Sequence, residues 1–276
     1  SGVYFSILFG SREEEKLRES IFVSFVVIAA ATVLLNVAVM SLTDSILHAL
    51  QIQPQIYGMT RAYVRVVFLG IPFTFLYNYF ATLLRAIGNS VMPLVFLGVS
   101  AVLNIVLDLV FVLVLSRGGG GAAEATVIAQ AVSAACSALY ACRKAPQLRP
   151  HRTNRKLRRR TVGKIFSYSF LTCVQQSVMN FGILMIQGLV NSFGVAVMAA
   201  FAAAVKIDSF AYMPVQDFGN AFSTFIAQNY GAGITDRIRA GIRPAVITAL
   251  AFCVAISVLV FAFAGPLLPT LLAPER

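Results

Sequence analysis

The sequence predicts an all-α fold, a polytopic membrane helix bundle, and three observations carry that prediction. Hydrophobic residues make up 58% of the chain and charged residues 12%, against roughly 25% charged in a soluble domain. The apolar residues gather in stretches of about twenty, the length that crosses a hydrocarbon core. A short motif also recurs at a fixed offset, as in a duplicated bundle. Lipid offers no water to a polar side chain or a bare backbone, so only charge-poor helices serve as such stretches.

Taken in order, residues 21–40, 62–84, 91–115, 122–142 and 165–190 each read as one span. Residues 194–228 form a longer stretch interrupted by Lys206, Asp208, Pro214 and Asp217, and residues 244–265 form the seventh span. Pro214 is a candidate kink. Residues 1–10 read as the tail of an earlier span. No signal-peptide pattern opens the chain, so an internal fragment is expected.

The net charge of +11 is concentrated rather than spread. Residues 143–164 hold ten Lys/Arg and no acid. That pattern reads as a cytoplasmic connection of a membrane protein, in contact with anionic lipid headgroups, and not as a nucleic-acid site. The segments near Arg12, Arg85 and Arg237 fall on the same side by this rule. Arg61 and Arg65, at the outer end of the second span, are exceptions that either snorkel to headgroups or face a wet cavity. Cys136, Cys142, Cys173 and Cys253 read as small apolar fillers, with no CxxC pair. His48 and His151 lie far apart, and no zinc or phosphate-loop motif is present. The glycines at 118–121 read as a turn.

The repeat pairs FGSREEEKLRES with YGAGITDRIRAG at an offset of 221 residues. Six spans lie within one period, so both copies return to the same side and the halves are parallel repeats of an intact protein of about twelve spans.

Asp108 is the sharpest candidate for function. A carboxylate within a span costs about 2.5–3.5 kcal/mol on insertion scales and needs a proton, a cation or a partner. Asn104 lies four residues earlier on the same face, and Ser100 continues the stripe. Thr126, Gln130 and Ser133 form a second polar stripe on the next span. Together they would make an oxygen-rich pocket suited to a proton or to Na⁺, or a structural contact between helices; spacing alone does not choose. Glu124 reads as solvated at the outer mouth. Gln176 and Asn180, with Thr172 and Gln187, form a further stripe, and Lys206, Asp208 and Asp217 are the charges of the long span. All five of Gln176, Asn180, Lys206, Asp208 and Asp217 are candidate cavity-lining residues.

These residues resemble a known family. GIPFTFLYNYFATLLRAIGNSVMPL looks like the fourth-span signature of multidrug and toxic compound extrusion (MATE) transporters. NIVLD, GAAEATVIAQ, VNSFG, AAAVKID and FIAQNYGAG are similar to later segments, in the family's order. The resemblance implies two pseudo-symmetric six-helix lobes, of which this chain holds the end of helix 2 through helix 9. Residues 1–142 would belong to the amino-terminal lobe, 143–164 to a basic cytoplasmic linker and 165–276 to the start of the carboxy-terminal lobe. The family's amino-lobe cation site would fall on Asn104, Asp108 and Thr126, with a first-helix Asp upstream of Ser1. Where some members carry an acid on the seventh helix, this chain has Gln175 and Gln176.

The expectation is therefore a non-enzymatic, cation-coupled exporter of organic, often cationic, small molecules. It would be a multi-pass monomer in a bacterial cytoplasmic membrane, using H⁺ or Na⁺ as coupling ion and no other cofactor. Its partners would be its substrate and membrane lipids. The alternative is a flippase of related fold for lipid-linked oligosaccharide or peptidoglycan precursors. That substrate favours several basic residues deep in the spans, where Lys206 stands alone. An enzyme would need HExxH or paired intramembrane acids, and neither occurs.

Overall fold

The computed structural model describes residues 1–49, 54–148, 158–191, 193 and 195–272. Among them every regular element is helical. The elements are α1 (Gly2–Gly10), α2 (Glu14–Ser41), α3 (Thr43–Ala49), α4 (Pro54–Leu69), α5 (Ile71–Ala86) and α6 (Val91–Leu109). A π-helical turn (Val110–Val114) leads to α7 (Gly118–Lys144), then a short 3₁₀ turn (Pro146–Leu148), α8 (Arg159–Asn191), α9 (Val195–Gly231) and α10 (Thr235–Leu272). Six helices among the described residues are long and apolar enough to cross a membrane. They match the expected spans apart from the long one at 194–228, over which α9 lies and stays helical through Pro214.

The chain clusters into two units, Ser1–Ile165 and Phe166–Arg276, with the boundary inside α8. Residues 149–157, the middle of the basic segment at 143–164, lie outside the described residues, His151 among them. In the first unit α7 is central and packs against α4, α5 and α6. Its buried residues include Gly121, Ala125, Ala129, Ser133, Ser137 and Ala141, one every four positions. Such a stripe of small side chains lets neighbouring backbones approach closely, which is how helices associate where lipid is as apolar as they are. A second cluster, with Phe5, Leu17, Ile21, Tyr79, Leu83, Leu148 and Ile165, fills the space where α1, α2 and α5 meet the end of α7 and the start of α8. Tyr79 closes it, donating its hydroxyl proton to the Ile21 carbonyl at 2.6 Å.

The second expected span is two helices rather than one. α4 ends at Leu69 and α5 begins at Ile71, with Gly70 between them. Pro72 is the cause. It has no N–H to give the Phe68 carbonyl four residues back, and that carbonyl is left over. Asn36 of α2 supplies the missing donor, its Nδ2 lying 2.6 Å from Phe68 O. A side chain on Gly70 would lie 3.0 Å from Gln130 Oε1 and 3.1 Å from Val127 Cγ2 of α7. The break is thus held from both sides.

The glycines at 118–121 also differ from expectation. They form the first turn of α7 instead of a separate turn. The reversal lies at Ser116 (φ 51°) and at Gly118 itself (φ 56°), the first of the four.

Arg61 and Arg65 find a partner in α3. The Arg61 guanidinium grips Asp44 with two bonds of 2.5 and 2.6 Å, Arg65 lies 3.9 Å from the same carboxylate, and Tyr57 donates to it at 3.1 Å. Hydrogen bonding from Arg61 holds the Asp44 carboxyl below its usual range, against the opposing effect of desolvation.

The offset-221 repeat is visible bond by bond. After α1, Ser11 N, Arg12 N and Glu13 N bond to the carbonyls of Ile7, Phe9 and Leu8. After α9, Ala232 N, Gly233 N and Ile234 N bond to Gln228, Tyr230 and Asn229, each 221 residues on. The residue that turns left-handed is Arg12 (φ 57°) in one copy and Gly233 (φ 74°) in the other. This is the Schellman closure of a helix. It occurs a third time after α5, where Ile87, Gly88 and Asn89 bond to Leu83, Arg85 and Leu84.

Two outcomes follow, both measured by thermal unfolding of the intact protein in detergent. Arg12→Gly is expected to stabilise by about 1 kcal/mol and Gly233→Ala to destabilise by about as much, because only glycine takes a left-handed conformation without steric cost. Shifts of the same sign would contradict the shared turn. Asn36→Ala is expected to cost about 1–2 kcal/mol by stranding a carbonyl. In a Pro72→Ala background, where residue 72 regains an N–H, the same change should cost less than half of that.

Candidate functional site: a buried carboxylate between α6 and α7

α6 and α7 run side by side and are joined by polar contacts along their length. Ser100 Oγ donates to the Ala129 carbonyl at 2.9 Å, and Ser133 Oγ donates to Phe96 O at 3.3 Å. Both hydroxyls are committed to the facing backbone. Gln130 turns the other way and accepts from Thr74 Oγ1 of α5 at 2.9 Å. The expected oxygen-rich pocket therefore narrows to Asn104, Asp108 and Thr126.

Asn104 and Asp108 sit one turn apart on α6, and Asn104 Nδ2 donates to Thr126 Oγ1 of α7 at 3.3 Å. The Thr126 hydroxyl passes its own proton to Ala122 O at 3.0 Å. Thr126 thus accepts one bond and donates one within its own helix. Asp108 Oδ1 is buried and has no hydrogen-bond partner among the described residues. An orphaned buried carboxylate oxygen is expensive in any protein and more so in lipid. A proton or a hard cation relieves it, and carboxylate, amide and hydroxyl oxygens are the donors such a cation prefers.

The local helix geometry concentrates here. Asp108 stands just before the π-helical turn, where Leu115 N reaches back five residues to Val110 O at 2.9 Å. Wide turns of this kind recur at functional sites because they re-aim side chains. The turn presses Phe111 toward α7: a Cβ on Gly121 would lie 3.0 Å from Phe111 Cβ and 2.9 Å from Arg117 Cβ. Glu124 is ion-paired with Arg117, which accounts for it outside the pocket. Nothing in the spacing of the sequence signals the π turn, although the glycine run at 118–121 marks the close approach that accompanies it.

The candidates of the second unit are placed differently. Gln176 and Asn180 on α8, and Asp208 and Asp217 on α9, are exposed in this chain, and among the described residues none of the four bonds to another. The Lys206 side chain lies outside the described residues. Within this unit Tyr212 ties α9 to Met179 of α8 at 3.5 Å.

Comparison with known proteins now bears on the whole chain. The MatE family model matches residues 2–110 and 170–276. A probable multidrug resistance protein of Bacillus subtilis, YpnP, is 30% identical over 71% of this chain and 44% of its own length. The multidrug export protein MepA of Staphylococcus saprophyticus is 25% identical over 83% of this chain and 51% of its own. The chain thus spans about half the length of the curated relatives it matches. Among solved structures, a mutant of the Vibrio cholerae MATE transporter VcmN aligns with a TM-score of 0.90 at 22% identity, covering 98% of this chain and 61% of that one. A MOP superfamily transporter from Pyrococcus furiosus aligns at 0.88 with 18% identity, over 100% of this chain and 62% of that one. With its helices, its paired matches and its relatives in agreement, the chain is an integral multi-pass membrane protein and belongs to the MatE family.

Proposed function

We propose that the intact protein exports small organic, often cationic, drug-like molecules in exchange for H⁺ or Na⁺ taken up at Asp108. The observation that carries this reading is the buried, unpartnered Asp108 Oδ1 beside the Asn104–Thr126 pair. The names of its relatives, multidrug resistance and multidrug export proteins, support the efflux half of it.

The chemistry needs little more than these residues. With its carboxylate charged, Asp108 carries an unmet charge in an apolar wall and favours an arrangement of α6 and α7 that admits water or a cation. Once that charge is neutralised, the tight packing of the two helices is no longer opposed. Such a difference in affinity between two arrangements is what couples an ion gradient to alternating access. Thr126 is held in place by Ala122 O, so its oxygen faces Asn104 without rotamer freedom to lose. Gln176, Asn180, Lys206, Asp208 and Asp217 would line the path of the substrate.

The test is transport by the intact protein in proteoliposomes with Asp108→Asn. Ion-driven drug efflux should fall at least tenfold, about 1.4 kcal/mol or more of lost coupling, while drug binding without a gradient stays within a few-fold of wild type. Efflux at the wild-type rate in that variant would remove Asp108 from the mechanism. A pH jump and a Na⁺ pulse applied separately identify the ion.

A further inference from the structure

A second site lies at the other end of the first unit, away from Asp108. A cavity of about 190 Å³ opens between the first turns of α2 and the first turns of α8. Lys16, Glu19 and Ser20 line it from α2, and Arg158, Arg160 and Lys164 from the start of α8. Four cations line it against one carboxylate, and Lys16 is paired with Glu13 at 2.9 Å, so the unbalanced positive charge lies at the start of α8. Glu19 is already engaged, accepting from Thr161 Oγ1 at 2.7 Å and lying 3.7 Å from Arg158. No carboxylate pairs with Arg160 or Lys164 among the described residues. Ser20 is 1% exposed, and its Oγ has no hydrogen-bond partner among the described residues. The amino-terminal end of α8 adds the positive end of a helix dipole.

The internal repeat supplies a comparison. At the offset of 221, Tyr4, Lys16 and Ser20 of this cavity correspond to Phe225, Arg237 and Gly241. In that copy the aromatic ring packs against the glycine: the Phe225 ring lies 2.7 Å from where a Gly241 Cβ would be, and the Arg237 guanidinium lies 6.0 Å over the same ring. In the first unit a serine replaces the glycine, and a cavity with an unpartnered hydroxyl remains. The difference is local to this site, because the turn preceding it is the same in both copies.

We infer that this cavity binds the phosphate of an acidic phospholipid headgroup, with Arg160 and Lys164 neutralising the charge and Ser20 Oγ donating to a phosphate oxygen. Its place at the start of two spans favours lipid over a soluble phosphate. The spans Glu14–Ser41 and Arg159–Val190 both begin at the cavity, so it sits where helices enter the bilayer and headgroups lie. A volume of 190 Å³ is over ten times what a single water requires, about 10–15 Å³ on this measure. The bound lipid would clip the start of α8, and with it the basic connection, to α2. This inference does not depend on what the protein transports.

The experiment is lipid titration of the intact, delipidated protein by native mass spectrometry, comparing phosphatidylglycerol with phosphatidylcholine. Phosphatidylglycerol should bind at least fivefold more tightly. Arg160→Ala with Lys164→Ala should weaken it by roughly 5- to 25-fold, about fivefold per charge removed. Glu19→Gln, which removes the competing carboxylate, should strengthen it. The control pair Arg239→Ala with Arg243→Ala should leave it unchanged. Unchanged binding in the Arg160/Lys164 variant, equal loss in the control pair, or weaker binding in Glu19→Gln would overturn the site. Displacement of the lipid by an equal concentration of sn-glycerol 3-phosphate would overturn lipid as its occupant.

Discussion

Everything in the first unit depends on how closely α7 lets its neighbours approach. Gly121, Ala125, Ala129, Ser133, Ser137 and Ala141 present almost no side chain over five helical turns. In water this face would be a weak core, because small residues bury little apolar area. In lipid there is no area term to gain between helices, and contact distance decides instead. The stripe brings α6 near enough for Ser100 and Ser133 to bond across to the facing backbones, and it brings the break at Gly70 against Gln130. Larger side chains here would separate the helices and leave those hydroxyls and carbonyls unmatched.

The same constraint explains why Asp108 is both costly and useful. Polar groups between α6 and α7 are matched one for one until Asp108, where the pairing stops. Asn104 has Thr126, and Thr126 has Ala122 O. Asp108 Oδ1 is left without a partner among the described residues, next to the π turn that interrupts regular helix geometry. Of the buried side-chain oxygens without a partner among the described residues, those of Ser20 and Ser137 are neutral hydroxyls and only Asp108 Oδ1 belongs to a carboxylate, so the demand an ion can answer falls there. The cavity at Ser20 follows the same logic outside the hydrocarbon: a buried hydroxyl and two cations with no carboxylate partner among the described residues face one space.

Much of this was legible in the sequence. Composition and span length gave the helices because lipid admits so few alternatives, and the offset of 221 found a turn whose three backbone bonds recur one for one. Asn104, Asp108 and Thr126 stood out because polar residues are rare in these spans. Three things were hidden. The break at Gly70 depends on Asn36, a residue 32 positions from the carbonyl it serves. Ser100, Gln130 and Ser133 look alike in a stripe, yet the direction each side chain takes is set by the neighbouring helix. The fit of Arg61 and Arg65 to Asp44 needed α3, a helix of seven residues too short to announce itself by periodicity.

The central claim is that close packing of α6 on α7, and not the identity of the site residues alone, creates the ion site. The most direct measurement is the stabilisation of the intact protein by its coupling ion, read as the shift in Tm on adding Na⁺ or lowering pH, in wild type and in Gly121→Ala. That variant keeps Asn104, Asp108 and Thr126 and adds one methyl group where Phe111 and Arg117 leave 2.9–3.0 Å. The ion-dependent shift should fall to less than half of wild type. A full-sized shift in Gly121→Ala would contradict the claim.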